Sequence, residues 1–345
     1  MTSPVSRDAG AAAQLGGPVV HPAPNPWLER RVLAYAHQGG AWEAPSSTLH
    51  AVRAAIAAGA TGIELDVHAT ADGELVVSHD ATVDRTTDGK GAIASMTLAE
   101  LRQLDNAYWF IPGADATRGG DPAEYPFRGR APDDPDFRIA TLREVLEEFP
   151  GVVLNLDVKQ TAPEVDPYEE ALARLLAEYE RHDDVIVASF LDKATARFAT
   201  LAPGVPTSAG MLATAEFWRA VQEGQSEPPG WPPAPASPVA FQVPETYGES
   251  TVVDERFVEA AHAAGMAVHV WTVEDEPSMR RLVRLGVDGI ITDLPTTLSG
   301  VLGDLGAAWP GLGAAGPGLG AAWPGLGAAW PGLGAAGPGA AASGL

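Results

Sequence analysis

Short apolar runs alternate with segments of helical periodicity through the middle of the chain. The apolar runs have the length of strands and cover residues 32–37, 62–68, 75–79, 152–159, 185–190, 206–210, 239–243, 267–273 and 289–293. The helical segments between them include residues 48–58, 167–181, 194–201, 215–222, 254–264 and 277–285. A strand followed by a helix, repeated along a chain, is typical of a parallel sheet covered by helices.

The number of strands favours a closed barrel. Residues 75–79 follow the second strand so closely that we expect them to extend it as a hairpin, which leaves eight strands. Eight β-then-α units predict an α/β fold of the (β/α)8 barrel type. An open doubly wound sheet is the alternative, and it is disfavoured because no glycine-rich dinucleotide-binding turn follows a strand.

Three segments lack this alternation of strands and helices. Residues 1–28 are rich in Gly, Ala and Pro without periodicity, which predicts a flexible arm. Residues 106–138 are too long for a simple connection, so we expect an insertion after the second strand that covers one end of the barrel. Residues 304–345 carry seven-residue repeats such as AAWPGLG, and their Pro and Gly predict a disordered low-complexity tail. The barrel is thereby assigned to residues 29–303.

Polar and apolar side chains alternate on two of the strands, GIELDVH and LNLDVK. The polar faces are Glu64, Asp66 and His68 on the first of these, and Asn155, Asp157 and Lys159 on the second. In a barrel such a face points into the lumen, and near the carboxyl ends of the strands it points into the mouth.

Crowded carboxylates in the mouth of a barrel need compensation. Buried together, they resist ionisation unless a cation neutralises them, and an all-oxygen set suits Mg²⁺ or Ca²⁺. Glu64, Asp66 and Asp157 are therefore predicted ligands of a divalent metal. A buried ion-pair network with Lys159 is the alternative.

Two histidines end strands beside these carboxylates. His37 ends the first strand, and His79 ends the hairpin run that follows Glu64 and Asp66. Flanking a metal site together, they are candidates for a catalytic acid/base pair.

Composition and charge exclude several classes of function. The chain has no cysteine, which rules out disulfides, thiolate zinc sites and cysteine nucleophiles. Its formal net charge of -23 disfavours nucleic acids and anionic membranes as partners. We find no signal-peptide pattern and no run long enough to span a bilayer, so we expect a cytoplasmic protein without stable membrane insertion. The oligomeric state is not indicated.

Several motifs between residues 34 and 295 occur together: AHQGG, GATGIELDVHATADGELVVSHD, VDRTTDGKG, TLAELRQLD, TLREVL, DVK, ASF and VWTVEDEPSMRRLVRLGVDGIITDLP. In combination they resemble the glycerophosphodiester phosphodiesterase family. The resemblance implies a TIM barrel and metal-dependent hydrolysis of a small-molecule glycerophosphodiester to glycerol phosphate and an alcohol.

The resemblance also implies roles for individual residues. His37 and His79 match the acid/base histidines, with His37 taken as the base; a two-step route through a cyclic phosphate would exchange the two roles. The other matches are Glu64, Asp66 and Asp157 as metal ligands, and Lys159, Trp271 and Gln38 as contacts to the substrate.

The chain departs from the family's motifs at three places. Gln38 stands where Arg is usual, Ser46-Ser47-Thr48 stands where Glu-Asn-Thr is usual, and Asp157 stands where Glu is usual. Glutamine cannot replace a bidentate arginine clamp on phosphate. Two alternatives therefore stay open: phospholipase D-like hydrolysis of lysophospholipid or sphingolipid head groups, since Asp-x-Lys occurs in sphingomyelinase D-like relatives, and a barrel that binds phosphodiesters without catalysis. The complete set of histidines and carboxylates disfavours the second.

Overall fold

Strands and helices alternate through the part of the chain that the structure, a computed structural model, describes: residues 25–114, 116–232 and 238–311. The strands are β1 (Leu33–His37), β2 (Gly62–Ala69), β3 (Leu75–Val77), β4 (Val153–Val158), β5 (Val185–Ala188), β6 (Ala240–Pro244), β7 (Thr246–Tyr247), β8 (Ser250–Thr251), β9 (Ala267–Trp271) and β10 (Gly289–Thr292). The α-helices are α1 (Leu49–Ala57), α2 (Leu98–Leu101), α3 (Leu142–Glu148), α4 (Glu169–Glu178), α5 (Asp192–Leu201), α6 (Met211–Gln222), α7 (Glu255–Ala263), α8 (Glu276–Leu285) and α9 (Pro295–Leu305).

The main sheet is parallel and curls into a TIM barrel, as the alternation of strands and helices predicts. Its strand order is β5-β4-β2-β1-β10-β9-β6, and β3 pairs with β2 in antiparallel fashion, as expected of a hairpin extension. The remaining gap, between β5 and β6, is bridged by Thr207 and Ser208, which pair in parallel with Val187 and Ala240.

The bridging segment is much shorter than the strand predicted over residues 206–210. Ser208 N donates to Val187 O at 3.0 Å, and Ala209 N donates to Ala240 O at 2.9 Å. Pro206 has no N–H to donate to a ladder, and Gly210 begins the approach to α6. This side of the barrel is therefore held by a few hydrogen bonds.

The strands bury both faces. Their outward side chains pack beneath the helices in two large apolar clusters, one around β2, β4 and β5 and the other around β6, β9 and β10. The inward side chains near the amino ends of the strands form a separate lumen cluster that includes Leu33, Tyr35, Val153 and Ile186. Polar side chains are thereby left to the carboxyl ends, where the inward face opens to the mouth.

Short polar side chains and glycines mark where helices begin and end. Thr48 caps α1 by accepting a hydrogen bond from Ala51 N at 3.1 Å. Gly286 ends α8 in the left-handed conformation, with φ of 99°. These caps confirm the helix limits that the sequence indicates near both positions.

The amino end of the barrel is closed by residues that the sequence assigned to the flexible arm. Asn25 caps a short 3-10 helix, Pro26–Leu28, and Trp27 lies fully buried in the lumen cluster with the Arg30 guanidinium 4.4 Å from its ring centre. The predicted boundary at residue 28 is therefore too late, because an indole of this size finds its apolar surroundings inside the barrel. Residues 1–24 lie outside the described residues.

The carboxyl-terminal boundary of the barrel also differs from the predicted one. Helix α9 continues to Leu305, and Ala307 O accepts a hydrogen bond from Val32 N at 3.1 Å. The barrel therefore extends beyond the predicted limit at residue 303. The predicted disordered tail falls largely on residues 312–345, which lie outside the described residues.

The insertion at 106–138 packs against α1 and the loop before it. His50 on α1 contacts the rings of Phe127 and Phe137 at centroid distances of 5.0 and 4.7 Å. Arg53 forms an ion pair with Asp136 at 2.6 Å. Within the described residues, no helix has the length and apolar character needed to cross a bilayer; the cytoplasmic location stays a prediction.

We predict that His269, buried in the lumen beside Tyr35, makes the barrel sensitive to acid. Burial lowers the pKa of His269 to about 4, so between pH 6.5 and pH 4 the unfolded chain binds a proton that the folded chain does not. Stability is therefore lost as the pH falls through this window, by about 3 kcal/mol at pH 4. His269→Leu should reduce the slope of the free energy of unfolding against pH, measured by urea denaturation. An unchanged slope would contradict the assignment.

Candidate active site

Three neighbouring strands bring the predicted polar residues to one level of the lumen. In the register of β1, β2 and β4, His37 pairs with Glu64, Glu64 with Asn155, and Asp66 with Asp157. Side chains at paired positions of parallel strands point to the same side, so these groups converge at the mouth of the barrel. The three carboxylates are deeply buried, with exposed fractions of 6% for Glu64, 1% for Asp66 and 6% for Asp157.

A single lysine contacts two of the carboxylates. Lys159 Nζ lies 2.7 Å from Asp66 Oδ1 and 3.0 Å from Asp157 Oδ2. Burial alone would lower the pKa of Lys159, but the two carboxylates outweigh it and hold the pKa above its usual range. Lys159 is therefore a permanent cation in the site.

The negative charge exceeds what this one lysine compensates. Burial, together with the charge of Asp66, raises the pKa of Glu64 to about 8, and burial raises the pKa of Asp157 as well. Asp66 Oδ2 and Asp157 Oδ1 are buried without a hydrogen-bond partner in the structure. Unpaired buried carboxylate oxygens are costly, and they are the donors that a hard divalent cation prefers. The donor chemistry fits such a cation, although among the described residues no three His, Asp or Glu side chains are grouped tightly enough to enclose one.

His37 is held by a carboxylate that the sequence analysis did not select. His37 Nδ1 donates to Asp293 Oδ1 at 2.7 Å, and its Nε2 lies 3.9 Å from Glu64 Oε2. Burial alone would lower the pKa of His37, but the bond to Asp293 and the surrounding carboxylates raise it to about 9. The same bond places the proton on Nδ1 in the neutral ring, which makes Nε2 the nitrogen that can accept a proton.

His79 has a comparable arrangement. Its Nδ1 donates to Asp80 Oδ1 at 2.8 Å, and Arg85 Nε donates to Asp80 Oδ2 at 2.8 Å. The bonds from His79 and Arg85 hold the pKa of Asp80 well below its usual range. The two imidazole rings are 6.2 Å apart between centroids and nearly perpendicular. The pair is therefore close enough to act on opposite sides of one small group.

Gln38 lies in a tight turn behind His37. It has a positive φ of 52°; its backbone N–H donates to Glu64 Oε2 at 3.2 Å, and its side-chain Nε2 lies 3.1 Å from His37 Nε2. A Cβ on the following Gly39 would come within 2.8 Å of Ala51 Cβ, so the turn requires glycine there. For Gln38 to contact a substrate, as predicted, its side chain would have to turn away from His37.

A cavity of about 540 Å³ opens from this cluster. Its polar end is lined by His37, Glu64, Asp66, His79, Asp157 and Lys159. Trp271 lines it too, with Phe190 against the indole at a centroid distance of 5.5 Å and the Lys159 Nζ 5.7 Å from the Phe190 ring. No residue of the insertion at 106–138 is among those that line this cavity.

Comparison with known proteins identifies the family. Residues 37–297 match the glycerophosphoryl diester phosphodiesterase family. A glycerophosphodiester phosphodiesterase of Caldanaerobacter subterraneus is 34% identical over 270 residues, which cover 78% of this chain and 96% of that protein. The chain belongs to the glycerophosphoryl diester phosphodiesterase family. The predicted family and the predicted enzyme class, a phosphodiesterase, are confirmed.

Solved structures show the same fold at lower identity. A glycerophosphodiester phosphodiesterase of Agrobacterium tumefaciens superposes with a TM-score of 0.58 at 22% identity, covering 78% of this chain and 99% of that one. A phosphodiesterase of Oleispira antarctica, solved in complex with the product sn-glycerol-3-phosphate, superposes with a TM-score of 0.58 at 23% identity. The match covers 80% of this chain and 99% of that one. These likenesses confirm the predicted TIM barrel.

Three residues of this candidate site were missed from the sequence. Asp293 directly follows β10, and Glu274 accepts hydrogen bonds from Asp293 N and Thr292 Oγ1, both at 3.0 Å. Burial raises the pKa of Glu274 to about 7. Phe190 follows β5 in the ASF motif. Their positions could have indicated them. Each lies shortly after the carboxyl end of a barrel strand, where active-site residues of this fold are found.

We predict that Asp293→Asn lowers the pKa of His37 by about one pH unit or more. The substitution removes a negative charge that stabilises the protonated ring, so less opposes the lowering of the pKa by burial. The measurement is an NMR titration of the histidine Cε1 protons. Asp304→Asn, which removes an exposed carboxylate paired with Arg280, is the control and should leave the His37 titration unchanged. An unaltered His37 pKa in Asp293→Asn would show that the bond does not set its charge state.

Proposed function

We propose that the chain hydrolyses glycerophosphodiesters to glycerol phosphate and an alcohol by acid/base catalysis at His37 and His79. The observation that carries this proposal is the convergence of both histidines, three carboxylates and Lys159 on the polar end of one cavity. The product complex of the Oleispira antarctica relative supports the choice of glycerol phosphate as product.

The histidines would divide the proton transfers. His37 Nε2 accepts the proton of the attacking water while Asp293 stabilises the imidazolium through Nδ1. The water oxygen forms a bond to phosphorus, the bond from phosphorus to the alcohol oxygen breaks, and His79 donates a proton to that oxygen. An attack by the neighbouring glycerol hydroxyl, followed by hydrolysis of the cyclic phosphate, would use the same two groups in exchanged roles.

Lys159 and Trp271 would position the substrate. The Lys159 ammonium offers a point charge to a phosphate oxygen, and Trp271 gives an apolar wall to the glycerol carbons. Gln38 would contact the substrate with its side-chain amide after turning away from His37 Nε2, which leaves that nitrogen able to accept a proton.

Glu64, Asp66 and Asp157 would hold a divalent cation, Mg²⁺ or Ca²⁺. When bound, such a cation neutralises charge on the carboxylates and polarises the phosphoryl group. The two partnerless oxygens of Asp66 and Asp157 support this assignment. With the carboxylates compensated, the pKa of His37 would fall towards neutrality, where a histidine acts as a base most effectively.

His37→Ala and His79→Ala should each reduce kcat on glycerophosphocholine by about 10²- to 10⁴-fold, because each removes a proton transfer from the transition state. His182→Ala, at an exposed position outside the cavity, is the matched control and should keep full activity. Circular dichroism checks the fold of all three. A near-normal kcat in either active-site variant would refute its assigned role.

Removal of divalent cations with EDTA should abolish the release of glycerol phosphate, and Mg²⁺ or Ca²⁺ should restore it. Glu64→Gln should raise the cation concentration for half-maximal activity at least about tenfold, since loss of a direct ligand costs no less than loss of an outer-shell partner. Added cation should also raise the melting temperature of the wild type more than that of Glu64→Gln. Glu74→Gln, outside the cavity, is the control. Activity that survives chelation would overturn the metal assignment.

A further inference from the structure

Each proposed catalytic histidine is followed by a loop at the mouth of the barrel. The loop after His37, here called the β1 loop, comprises residues 38–48 and leads into α1. The loop after His79, here called the β3 loop, comprises residues 80–92. Because each histidine lies where a strand passes into its loop, the separation of the two imidazoles depends on how the loops are held relative to each other.

The side chain of Asn106, at the start of the insertion, bonds to both loops. Its Nδ2 donates to Ser46 O in the β1 loop at 3.1 Å, and its Oδ1 accepts a hydrogen bond from Thr86 Oγ1 in the β3 loop at 2.6 Å. Asn106 is only 3% exposed, and its backbone N–H donates to Phe137 O at 3.0 Å. A buried amide bonded in this way holds its partners in place, since losing either bond would leave a buried polar atom unpaired.

On the side of the β1 loop, the connection to the histidine runs along the backbone. Ser46 is followed by Ser47, whose N–H donates to Gln38 O at 2.8 Å. Gln38 and Ser47 both have a positive φ, of 52° and 57°, which residues other than glycine adopt only where their surroundings hold them. Gln38 directly follows His37, so a shift of Ser46 would be transmitted to the imidazole of His37.

On the side of the β3 loop, the connection to the histidine is made by side chains. Thr86 directly follows Arg85, whose Nε donates to Asp80 Oδ2 at 2.8 Å. The other oxygen of the Asp80 carboxylate accepts a hydrogen bond from His79 Nδ1 at 2.8 Å. A shift of Thr86 would therefore be transmitted to the imidazole of His79.

The insertion contacts each loop at a second point. Trp109 Nε1 donates to Thr87 O in the β3 loop at 2.8 Å, and Gly113 N donates to Trp42 O in the β1 loop at 2.7 Å. The described residues of the insertion do not line the cavity into which the histidines point. The insertion is thus placed to hold the two loops together without contacting a substrate in that cavity.

We propose that Asn106 is a positioning residue that sets the spacing of His37 and His79. The proposal rests on the proposed function, because it assumes that the two histidines transfer protons on opposite sides of one phosphodiester. Their ring centroids are 6.2 Å apart, and a displacement of about 1 Å from the reactive geometry can cost about 100-fold in rate. Asn106 acts on kcat more than on KM, because it lies outside the cavity.

Kinetics of matched variants test the proposal. Asn106→Leu, similar in size but unable to form either bond, should lower kcat on glycerophosphocholine about 10- to 100-fold and leave KM within about twofold of wild type. Thr86→Val removes only the hydroxyl and should lower kcat about three- to tenfold, whereas Thr86→Ser keeps the hydroxyl and should retain full activity. Asp136→Asn, which weakens the ion pair between the insertion and Arg53, is the control and should leave kcat unchanged.

The outcomes of these assays separate the proposal from the proposed function. If wild type hydrolyses glycerophosphocholine and Asn106→Leu keeps a near-normal kcat, the positioning role is overturned and the proposed function stands. If Asn106→Leu does not fold, the two Thr86 variants decide: equal kcat values in Thr86→Val and Thr86→Ser would overturn the role, and a loss confined to Thr86→Val would support it.

NMR of the histidine rings tests the connection without turnover. Thr86 lies on the β3 loop, yet Thr86→Val should shift the Cε1 proton resonances of both His79 and His37, because Asn106 connects the loops. In an Asn106→Leu background, Thr86→Val should no longer move the His37 resonance, since the connection is already broken. A His37 resonance that Thr86→Val leaves unmoved, or moves equally in both backgrounds, would overturn the proposal. The coupled shift in a protein that hydrolyses no glycerophosphodiester would support the spacing role while the proposed function fails.

Discussion

Three buried carboxylates placed side by side in the barrel mouth impose the main constraint on this protein. Glu64, Asp66 and Asp157 come together because β2 and β4 are paired in a register that sends their polar alternate positions into the lumen. In low dielectric such a group is stable only with compensating positive charge. Lys159 supplies one such charge, and the charges of Glu64 and Asp66 add to the effect of Asp293 in raising the pKa of His37 on the neighbouring strand. The features that make the mouth costly to fold are thus the ones from which the proposed phosphodiester and cation sites are built.

Much of the fold could be predicted because parallel strands and amphipathic helices leave strong periodic signals. The alternation in GIELDVH and LNLDVK was enough to place the polar set on one face, since a period of two fixes which side chains share a side. Residues 206–210 show the limit: a segment whose closure depends on a few hydrogen bonds to β5 and β6 carries little periodicity of its own. Asp293 and Phe190 were missed because each is the last residue of its predicted apolar run, where no alternation of polar and apolar positions marks it. Their importance arises only when separate strands bring them to His37 and Trp271.

The contacts of Gln38 in the structure indicate a different role from the one that the sequence suggested. From the sequence it marks the loss of an arginine clamp on phosphate. In the structure its backbone N–H contacts Glu64 and its amide contacts His37, in a turn that Gly39 allows to pass close to α1. The Ser46-Ser47 pair belongs to the same turn, where Ser47 N donates to Gln38 O at 2.8 Å and Asn106 Nδ2 donates to Ser46 O at 3.1 Å. Both departures from the family's motifs therefore lie where the insertion and the first loop hold His37 in place, and neutral groups suffice for that task.

Chemistry and substrate choice come from different parts of this barrel. The histidines and carboxylates stand at or directly after strands, whose pairing holds them rigidly, whereas the apolar part of the cavity is formed largely by α6 and the hairpin β7–β8, which lie outside the main sheet. Residues on a helix surface or a hairpin can change in size without disturbing the strand pairing that positions the proposed catalytic groups. A change from Ala215 to a larger residue would alter the volume of the cavity and leave the register of β1, β2 and β4 intact. Shared family motifs on the strands consequently identify the reaction, while much of the remaining cavity wall is formed by residues that those motifs do not include.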